Sequence, residues 1–410
     1  MKTNLAKRMK VWIISPFSDP SNADSADRYR YICQELINQG ASVCQYISAF
    51  DHALKCHRRV SLHAWRCIAV FEPGYTRNVS IQRVISHLIF DFMIFFYFIR
   101  EIFRSGLPNI VFAVLPHNGA ACVAALFAKS VGAKLIVDIH DTWPESILSV
   151  AKPNFMTLIA YKVWKACADF SILWADDVFG ESIRYAERAN NVRDRFRLPR
   201  AQAIYIGGDL AYYQGIQPID TIPIELQGAK FILAYAGTLG ENYDLDCLVE
   251  AYAAFEKECS DAGLLLLGGG EREAALRSRL SDLCQRAWVS GRISHRAILS
   301  YLKRSLAGLN CFKPGGNVAY SYKLNDYLLV GLPVINSLIG ETADFISKYD
   351  IGVNYQASDP HSLLEAFRLC YSRWQEDPFW GKKVISFSSQ ALDRKNSYRS
   401  LIQSCLDVSN

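Results

Sequence analysis

The chain has 410 residues, which is enough for two domains. Hydrophobic residues make up 50% and charged residues 21% of the chain, which is ordinary for a globular protein. A net charge of +5 at pH 7 is too small to indicate a nucleic-acid-binding protein.

The 12 cysteines form no C-x-x-C pair and no His/Cys spacing that suits zinc. They therefore predict free thiols in a reducing compartment. The apolar run at residues 11–14 is too short for a signal peptide, so we expect a cytoplasmic protein.

The first half of the chain alternates predicted strands and helices. A strand at residues 11–15, a helix at 27–38 and a strand at 42–47 form a βαβ opening, which predicts a parallel sheet. The alternation continues with strands at 109–115, 134–139, 177–179 and 203–206, and helices at 119–130, 155–170 and 182–189. The pattern predicts an N-terminal Rossmann-like domain over residues 1–206.

The stretch at residues 84–103 is long and apolar enough to resemble a membrane-spanning helix. Asp91 lies near its middle, however, and a carboxylate there is costly in the hydrocarbon core of a bilayer. We therefore expect a helix that packs on the sheet and touches the membrane interface. Two groups of basic residues, at 55–66 and 184–200, could meet anionic headgroups or form a solvated face.

His140 and Asp141 directly follow the predicted strand at residues 134–139. Functional groups of open α/β sheets gather at the carboxyl ends of the strands. His140 is therefore a candidate site residue, because a histidine beside a carboxylate at such a position can take part in binding or proton transfer.

A segment rich in glycine, proline and glutamine at residues 207–229 predicts a linker between two domains. A second alternation follows, with strands at 231–235, 264–267, 287–289 and 307–312, and helices at 245–256, 271–286 and 295–303. It predicts a C-terminal Rossmann-like domain at residues 230–385. A last helix at about 386–408 is expected to pack back onto the N-terminal domain.

Residues 313–337 combine a glycine turn, a helix and a short apolar strand. The predicted helix begins after Ser321 and ends at Gly331, with Lys323 in its first turn and Asp326 three residues on. A helix start after a glycine turn can bind an anion, and a carboxylate nearby can bind sugar hydroxyls. The pattern suits a nucleotide, although an ordinary amphipathic helix with solvated charges would show it too. No G-x-G-x-x-G or Walker A motif follows a predicted strand, which argues against a dinucleotide-binding domain or a P-loop kinase.

Several of these motifs resemble family-4 glycosyltransferases of the GT-B type. Residues 321–335 are similar to the family signature P-S-K-L-x-E-Y-x-x-x-G-K-P-V-I, and residues 235–240 resemble its Y-x-G-x-x-G strand end. Residues 267–270 and 291–292 resemble its next two turns. Residues 138–146 are similar to the D-x-W-P-E-S segment of a bacterial subgroup that makes surface polysaccharides.

The resemblance implies two Rossmann-like domains that face each other across a cleft and a nucleotide sugar bound by the C-terminal one. The glycine turn and nearby cations would hold the diphosphate, a carboxylate would hold the ribose, and a histidine would contact the donor sugar. The residues implied for donor binding are Gly237, Thr238, Leu239, Gly240, Lys313, Ser321 and Asp326, and those for catalysis are His140, Arg292 and Lys323.

The chain departs from the family pattern in four ways. Asp326 stands where the family usually has Glu, and the upstream Glu of its E-x7-E pair has no counterpart at residues 312–319. The Arg and Lys often found after the first C-terminal strand are absent from residues 240–245, and Gly207-Gly208-Asp209 replaces N-G-V-D.

We therefore expect a retaining hexosyltransferase that needs no metal ion or other cofactor. It would move a sugar from a nucleotide-sugar donor to a lipid-linked or oligosaccharide acceptor in surface polysaccharide synthesis, at the inner face of the cell membrane. Two alternatives stay open: a nucleotide-sugar 2-epimerase of the same fold, and a non-catalytic sugar- or lipid-binding module.

Overall fold

The computed structural model describes residues 9–20, 27–52, 54–58, 63–77, 80–141, 143–145, 155–315 and 318–407. The chain divides into two units: Met1–Tyr205 with Tyr398–Asn410, and Ile206–Ser397. The segment predicted as a linker, 207–229, falls in the second unit. Ser146 of the D-x-W-P-E-S segment and residues 59–62 of the first basic group lie outside the described residues.

The first unit is built on a seven-stranded sheet of order β5-β2-β1-β6-β7-β8-β9, in which every pairing is parallel. The strands of this sheet are β1 (Lys10–Ile14), β2 (Ser42–Ser48), β5 (Arg66–Val70), β6 (Ile110–Leu115), β7 (Lys134–Ile139), β8 (Asp177–Gly180) and β9 (Gln202–Ala203). Two short strands, β3 (Phe50–Asp51) and β4 (Cys56–His57), form a separate antiparallel pair. The helices of this unit before residue 200 are α1 (Arg28–Asn38), α2 (Ile81–Ser105), α3 (Asn118–Val131), α4 (Phe155–Trp174) and α5 (Ile183–Arg193), with a 3-10 turn at Asp194–Phe196. Every residue of β6 is buried, as expected of a parallel strand that is covered on both faces.

The helix predicted at residues 84–103 is confirmed as α2, which packs one face on this sheet. Phe90, Ile94 and Phe98 recur at helical spacing and join the same core as Trp12. The opposite face is apolar as well, and Phe92 and Phe103 on it are 64% and 88% exposed. Over the part of the chain that the structure describes, no helix is long and apolar enough to cross a membrane.

Two arginines of the second basic group predicted from the sequence make contacts within the first unit. Arg193 is buried and donates hydrogen bonds from Nη1 to the carbonyl oxygens of Ile172 (2.7 Å) and Ala175 (2.9 Å), where α4 ends. Arg200 forms an ion pair with Glu187, with Nη2 2.8 Å from Oε2. Arg193 therefore holds the end of α4, which the sequence spacing could not show.

The second unit has a six-stranded parallel sheet of order β12-β11-β10-β13-β14-β15. Its strands are β10 (Phe231–Ala236), β11 (Ala262–Leu267), β12 (Ala287–Val289), β13 (Ala307–Asn310), β14 (Val334–Asn336) and β15 (Gly352–Asn354). Its helices are α6 (Leu210–Gly215), α7 (Leu245–Glu258), α8 (Glu273–Leu283), α9 (His295–Leu302), α10 (Tyr322–Val330), α11 (Glu341–Tyr349), α12 (Pro360–Glu376), α13 (Trp380–Ala391) and α14 (Arg394–Ser397), with a 3-10 turn at Ile224–Leu226. Both units are therefore Rossmann-like, which confirms the predicted α/β class.

The chain end differs from the single helix predicted at about 386–408. The structure has α13, α14 and a separate α15 (Arg399–Ser404), which belongs to the first unit. The break follows from an isolated parallel bridge between Gly208 and Asp393, in which the Arg394 amide donates to the Gly208 carbonyl (3.0 Å). Because the Arg394 amide donates to Gly208, it is not available for a helical hydrogen bond, and the helix is interrupted here.

Candidate functional site

The predicted donor-binding residues meet at the carboxyl edge of the second sheet, where the strand order reverses between β10 and β13. Residues 237–240 follow β10, and α10 is the first helix after β13. Ligands of open α/β sheets bind in the crevice at such a point. The position itself therefore favours a binding site.

Tyr327 fixes the register of α10 against the sheet. Its hydroxyl accepts a hydrogen bond from the Ala236 amide (2.8 Å) and donates one to the Leu309 carbonyl (3.0 Å). Its ring lies where a side chain on Gly308 would be, since a Cβ there would come within 2.3 Å of Cγ of Tyr327. This packing sets where Lys323 and Asp326 lie.

Two glycines allow the turn after β10 to pack closely. A Cβ on Gly268 would lie 2.1 Å from the Gly237 carbonyl oxygen, and a Cβ on Gly237 would lie 2.4 Å from Cε of Lys323. Both residues have a positive φ, 141° and 148°, which favours glycine. The turn is thus shaped to bring backbone against the Lys323 side chain.

Only part of the predicted amide cradle can serve a ligand. The Gly237 amide donates to the Leu267 carbonyl (2.9 Å) and the Leu239 amide to the Gly269 carbonyl (3.1 Å), while the Leu239 side chain is buried in the core. Among the described residues, the amides of Thr238 and Gly240 have no such acceptor. These two amides are the ones that remain to bind an anion.

The Lys323 ammonium is buried without a hydrogen-bond partner in the described part of the chain. It lies over three aromatic rings, 3.4 Å from the ring centre of Tyr243, 4.7 Å from that of Tyr235 and 4.8 Å from that of Phe312. Burial lowers the pKa of Lys323 from 10.5 to about 7. Cation–π contacts compensate this desolvation only in part, so an anionic ligand would be a better partner.

The other two predicted cations, Lys313 and Arg292, are more exposed than the Lys323 ammonium, and Ser321 is buried. Lys313 is 40% exposed and pairs with Glu241, with Nζ 3.3 Å from Oε2. Arg292 is exposed, and its backbone packs against Gly269, since a Cβ on that glycine would lie 3.2 Å from the Arg292 nitrogen. Ser321 is buried at the start of α10, and its side chain makes no capping hydrogen bond.

Asp326 is held by two residues that the sequence analysis did not identify. The Tyr213 hydroxyl donates to its Oδ1 (2.7 Å), and Nε2 of His295 lies 3.0 Å and 3.1 Å from its two oxygens. Tyr213 is in α6, inside the predicted linker, and His295 is the first residue of α9. A carboxylate has about four acceptor positions, so Asp326 can accept further hydrogen bonds.

His140 lies at the carboxyl end of β7 in the first unit, as predicted, and Nδ1 pairs with the Glu181 carboxylate. Burial alone would lower the pKa of His140, but the charge of Glu181 and the hydrogen bond to it raise the pKa above its ordinary value. The His140 side chain is 30% exposed, so the ring can still be reached. Glu181 is a further residue that the sequence analysis missed, because it follows a different strand.

Two carboxylates of the D-x-W-P-E-S segment, Asp138 and Glu145, are held by structural contacts. The buried Asp138 accepts a hydrogen bond from the Tyr29 hydroxyl (2.8 Å), and Nη2 of Arg28 lies 3.5 Å away from its Oδ1. Glu145 pairs with Arg188, at 3.0 Å between Oε1 and Nη2. These contacts position the loop after β7.

No protein-family model and no curated protein sequence matches the chain. Solved structures do. HepE of Anabaena, solved with UDP and glucose, is 13% identical, with a TM-score of 0.64 over 98% of this chain and 100% of that one. WaaG, a glycosyltransferase involved in lipopolysaccharide biosynthesis, is 11% identical, with a TM-score of 0.60 over 98% of this chain and 100% of that one.

A third structure, from Listeria monocytogenes, is assigned as a UDP-N-acetylglucosamine 2-epimerase. It is 12% identical, with a TM-score of 0.60 over 98% of each chain. At such identities the similarity establishes the fold and leaves the reaction open. The chain therefore has the fold of GT-B glycosyltransferases over nearly its whole length.

Proposed function

We propose that this protein is a retaining glycosyltransferase of family 4. It moves a hexose-type sugar from a nucleotide-sugar donor to a lipid-linked or oligosaccharide acceptor in surface polysaccharide synthesis. The observation that carries the proposal is the Lys323 ammonium, which is buried against the glycine turn without a hydrogen-bonding acceptor among the described residues. A diphosphate at the turn would supply that acceptor.

The donor site is assembled from residues of the second unit. The amides of Thr238 and Gly240 and the Lys323 ammonium bind the diphosphate, and Asp326 accepts hydrogen bonds from the ribose hydroxyls. Arg292 or Lys313 stabilises charge on the leaving phosphate. HepE, which has a similar fold, was solved with UDP, and this supports a nucleoside diphosphate as part of the ligand bound here.

The reaction that the resemblance implies needs no base from the protein. The bond between the anomeric carbon and the diphosphate oxygen breaks, and the acceptor oxygen bonds to that carbon on the same face. The acceptor's proton passes to the leaving diphosphate. Catalysis then consists mainly of positioning and charge stabilisation, with His140 contacting the donor sugar.

We also propose that the protein works at the inner face of the cell membrane. The exposed face of α2 carries Phe92, Phe96 and Phe103, and the exposed Arg100 and Arg104 lie beside them. Aromatic residues next to arginines suit the boundary between acyl chains and anionic headgroups. A lipid-linked acceptor would be found at that surface.

A nucleotide-sugar 2-epimerase is the second candidate, because one of the similar structures is assigned that activity. Incubation of the purified protein with a panel of nucleotide sugars separates the candidates. Free nucleoside diphosphate with transferred or hydrolysed sugar supports the transferase, and an isomerised sugar with an intact nucleotide supports the epimerase. Binding without turnover of any donor would indicate a non-catalytic module.

A further inference from the structure

A second cluster of chemically active side chains lies in the first unit, at the carboxyl edge of its sheet. Glu72 follows β5, His87 lies in the first part of α2, and His117 precedes α3. The three side chains are buried, and one potential ligand atom from each lies within 4.8 Å of the others. Neither the donor site nor His140 uses any of them.

The imidazole rings of His87 and His117 are buried, and each has a ring nitrogen without a hydrogen-bond partner among the described residues. The two rings stack with centroids 4.4 Å apart, and His87 and His117 are only 7% and 1% exposed. Over the described residues, Nε2 of His87 and Nε2 of His117 have no hydrogen-bond partner. Buried polar atoms without a partner are rare and costly in native proteins, so they point to a ligand.

The carboxylate of the cluster is buried and already oriented. Both of its oxygens are engaged by hydroxyl groups, since Ser86 donates to Oε1 (2.8 Å) and Ser48 donates to Oε2. His87 is the basic side chain nearest to it among the described residues, with Nε2 3.8 Å from Oε1. A buried carboxylate normally has a cation beside it or binds a metal ion.

A second carboxylate positions His117. Oδ1 of Asp91 lies 3.2 Å from Nδ1 of His117, and the Asp91 carboxyl group occupies the space where a Cβ on Gly119 would be, 1.7 Å from Oδ2. A carboxylate behind one imidazole nitrogen leaves the other nitrogen to act as a ligand, an arrangement common around protein-bound zinc. Asp91 is therefore a positioning residue of this cluster.

We propose that Glu72, His87 and His117 bind a divalent transition-metal ion such as Zn²⁺. Two imidazoles and one carboxylate form a ligand set that such ions prefer, and a fourth position would be left for water. Tetrahedral zinc with bonds of about 2.0–2.2 Å would draw the three groups closer together. The ion would tie the segment after β5, α2 and the segment before α3 into one cluster, independently of the proposed transferase activity.

Metal binding by the full-length protein tests this proposal. The protein is stripped with a chelator, titrated with Zn²⁺ by calorimetry, and titrated with Co²⁺ while the visible d–d absorption is recorded. We expect one ion per chain and a tetrahedral or five-coordinate cobalt spectrum. We also expect Zn²⁺ to raise the unfolding temperature of the stripped protein.

His87→Gln and His117→Gln should each weaken Zn²⁺ binding about 100-fold or more, and Asp91→Asn should weaken it about 10- to 100-fold. His361→Gln is the matched control, because His361 is 80% exposed on α12 and should leave binding unchanged. Circular dichroism checks that each variant is folded, and Glu72→Asp, which keeps the charge but shortens the reach, replaces any variant that is not. Absence of one-to-one binding by the parent protein, or equal affinity in parent and cluster variants, would overturn the proposal.

Discussion

The Lys323 ammonium makes nucleotide binding dependent on pH. Burial lowers the pKa of this lysine to about 7 when no anion is beside it, so the amine is mostly neutral at pH 8.5. A diphosphate within hydrogen-bonding distance favours the charged form and raises the pKa again. Above pH 7, binding of a nucleoside diphosphate must therefore be accompanied by uptake of a proton.

Calorimetric titration with UDP at pH 8.5 in buffers of different ionisation enthalpy measures that proton. We expect uptake approaching one proton per UDP in the parent protein and none from this group in Lys323→Met. The variant should bind UDP about tenfold more weakly or worse, because a charge-assisted hydrogen bond contributes about 1.5–3 kcal/mol. Lys348→Met is the control, since Lys348 also lies over an aromatic ring, that of Tyr349, but on the surface. Unchanged proton uptake in Lys323→Met would place the diphosphate elsewhere.

Asp326 is expected to act in nucleotide binding and in stability at once. Asp326→Ala should weaken nucleoside diphosphate binding by about 1.5–3 kcal/mol for each charge-assisted bond lost. It should also destabilise the protein by about 1–3 kcal/mol, because the buried Tyr213 hydroxyl loses its acceptor. Asp326→Glu, which introduces the residue usual in the family that the sequence resembles, should be tolerated best.

Tyr213→Phe separates the two roles of Asp326. It removes the same hydrogen bond from the protein but keeps the carboxylate, so it should retain most of the nucleotide affinity. Calorimetry and thermal unfolding of the three variants provide the two readouts. Should Asp326→Ala lose stability and still bind nucleotide like the parent, the carboxylate is a structural partner of Tyr213 and His295.

His140 should affect turnover more than donor binding. Its ring is held by Glu181, and in the proposed reaction it contacts the sugar rather than the nucleotide. His140→Ala should lower kcat by about 100- to 1,000-fold, which corresponds to the loss of one positioned polar contact in the transition state. The KM for the donor should change little. Steady-state kinetics decide this, and a parent-like kcat in the variant would exclude His140 from the reaction.

At the scale of single elements, α2 presents the clearest surface for a partner. Phe92→Ser combined with Phe96→Ser removes two exposed aromatic rings whose centroids lie 4.8 Å apart. Co-sedimentation with vesicles that contain anionic lipid should show a several-fold loss of binding in this variant, because burial of apolar area drives interfacial binding. High salt should weaken binding of the parent as well, since the arginines beside the rings meet screened headgroups.

Phe379→Ser is the control for this experiment, because Phe379 is also exposed (58%) but lies before α13 in the second unit. Equal vesicle binding by the α2 variant and the control would contradict the proposed role of α2. Extraction of the protein from membranes by detergent alone, and not by carbonate, would show that the association is not peripheral.

The elements that the sequence predicted best are those with a strong local pattern. β6 and β10 are continuous apolar runs, β7 has an apolar run at residues 135–137, and the helix after Ser321 has its own start and stop signals. β5 was missed, since it is an edge strand within a basic stretch and its burial comes only from its neighbours. The helices α11 and α12 were not predicted either.

The site residues that the sequence predicted are likewise those that belong to a local motif. Lys323 and Asp326 could be located because they share a helix turn with a recognisable motif. Tyr213, His295 and Glu181 could not, because each comes from a different element and reaches its partner only through the packing of the sheet and helices. The same reason explains why the Glu72, His87 and His117 cluster has no signature in sequence spacing.

At the scale of the whole molecule, the two units repeat one architecture with different chemistry at the carboxyl edges of their sheets. The second unit has glycine turns, a buried lysine and a carboxylate, which suit a nucleoside diphosphate. The first unit has His140 with Glu181, and the buried histidine cluster. We therefore expect a nucleoside diphosphate without an attached sugar to bind to the second unit and not to the first.

Hydrogen exchange with and without saturating UDP tests whether the nucleotide binds to the second unit. Amides that bind phosphate exchange more slowly, so protection should concentrate in the turn at residues 237–240 and in the first turn of α10. The sheet and helices of Met1–Tyr205 should exchange at the same rates in both samples. Lys323→Met serves as the internal control, since at a UDP concentration near the Kd of the parent protein its weaker binding should remove most of the protection of the turn. Protection confined to the first unit would reverse the assignment, because the diphosphate would then bind away from Lys323.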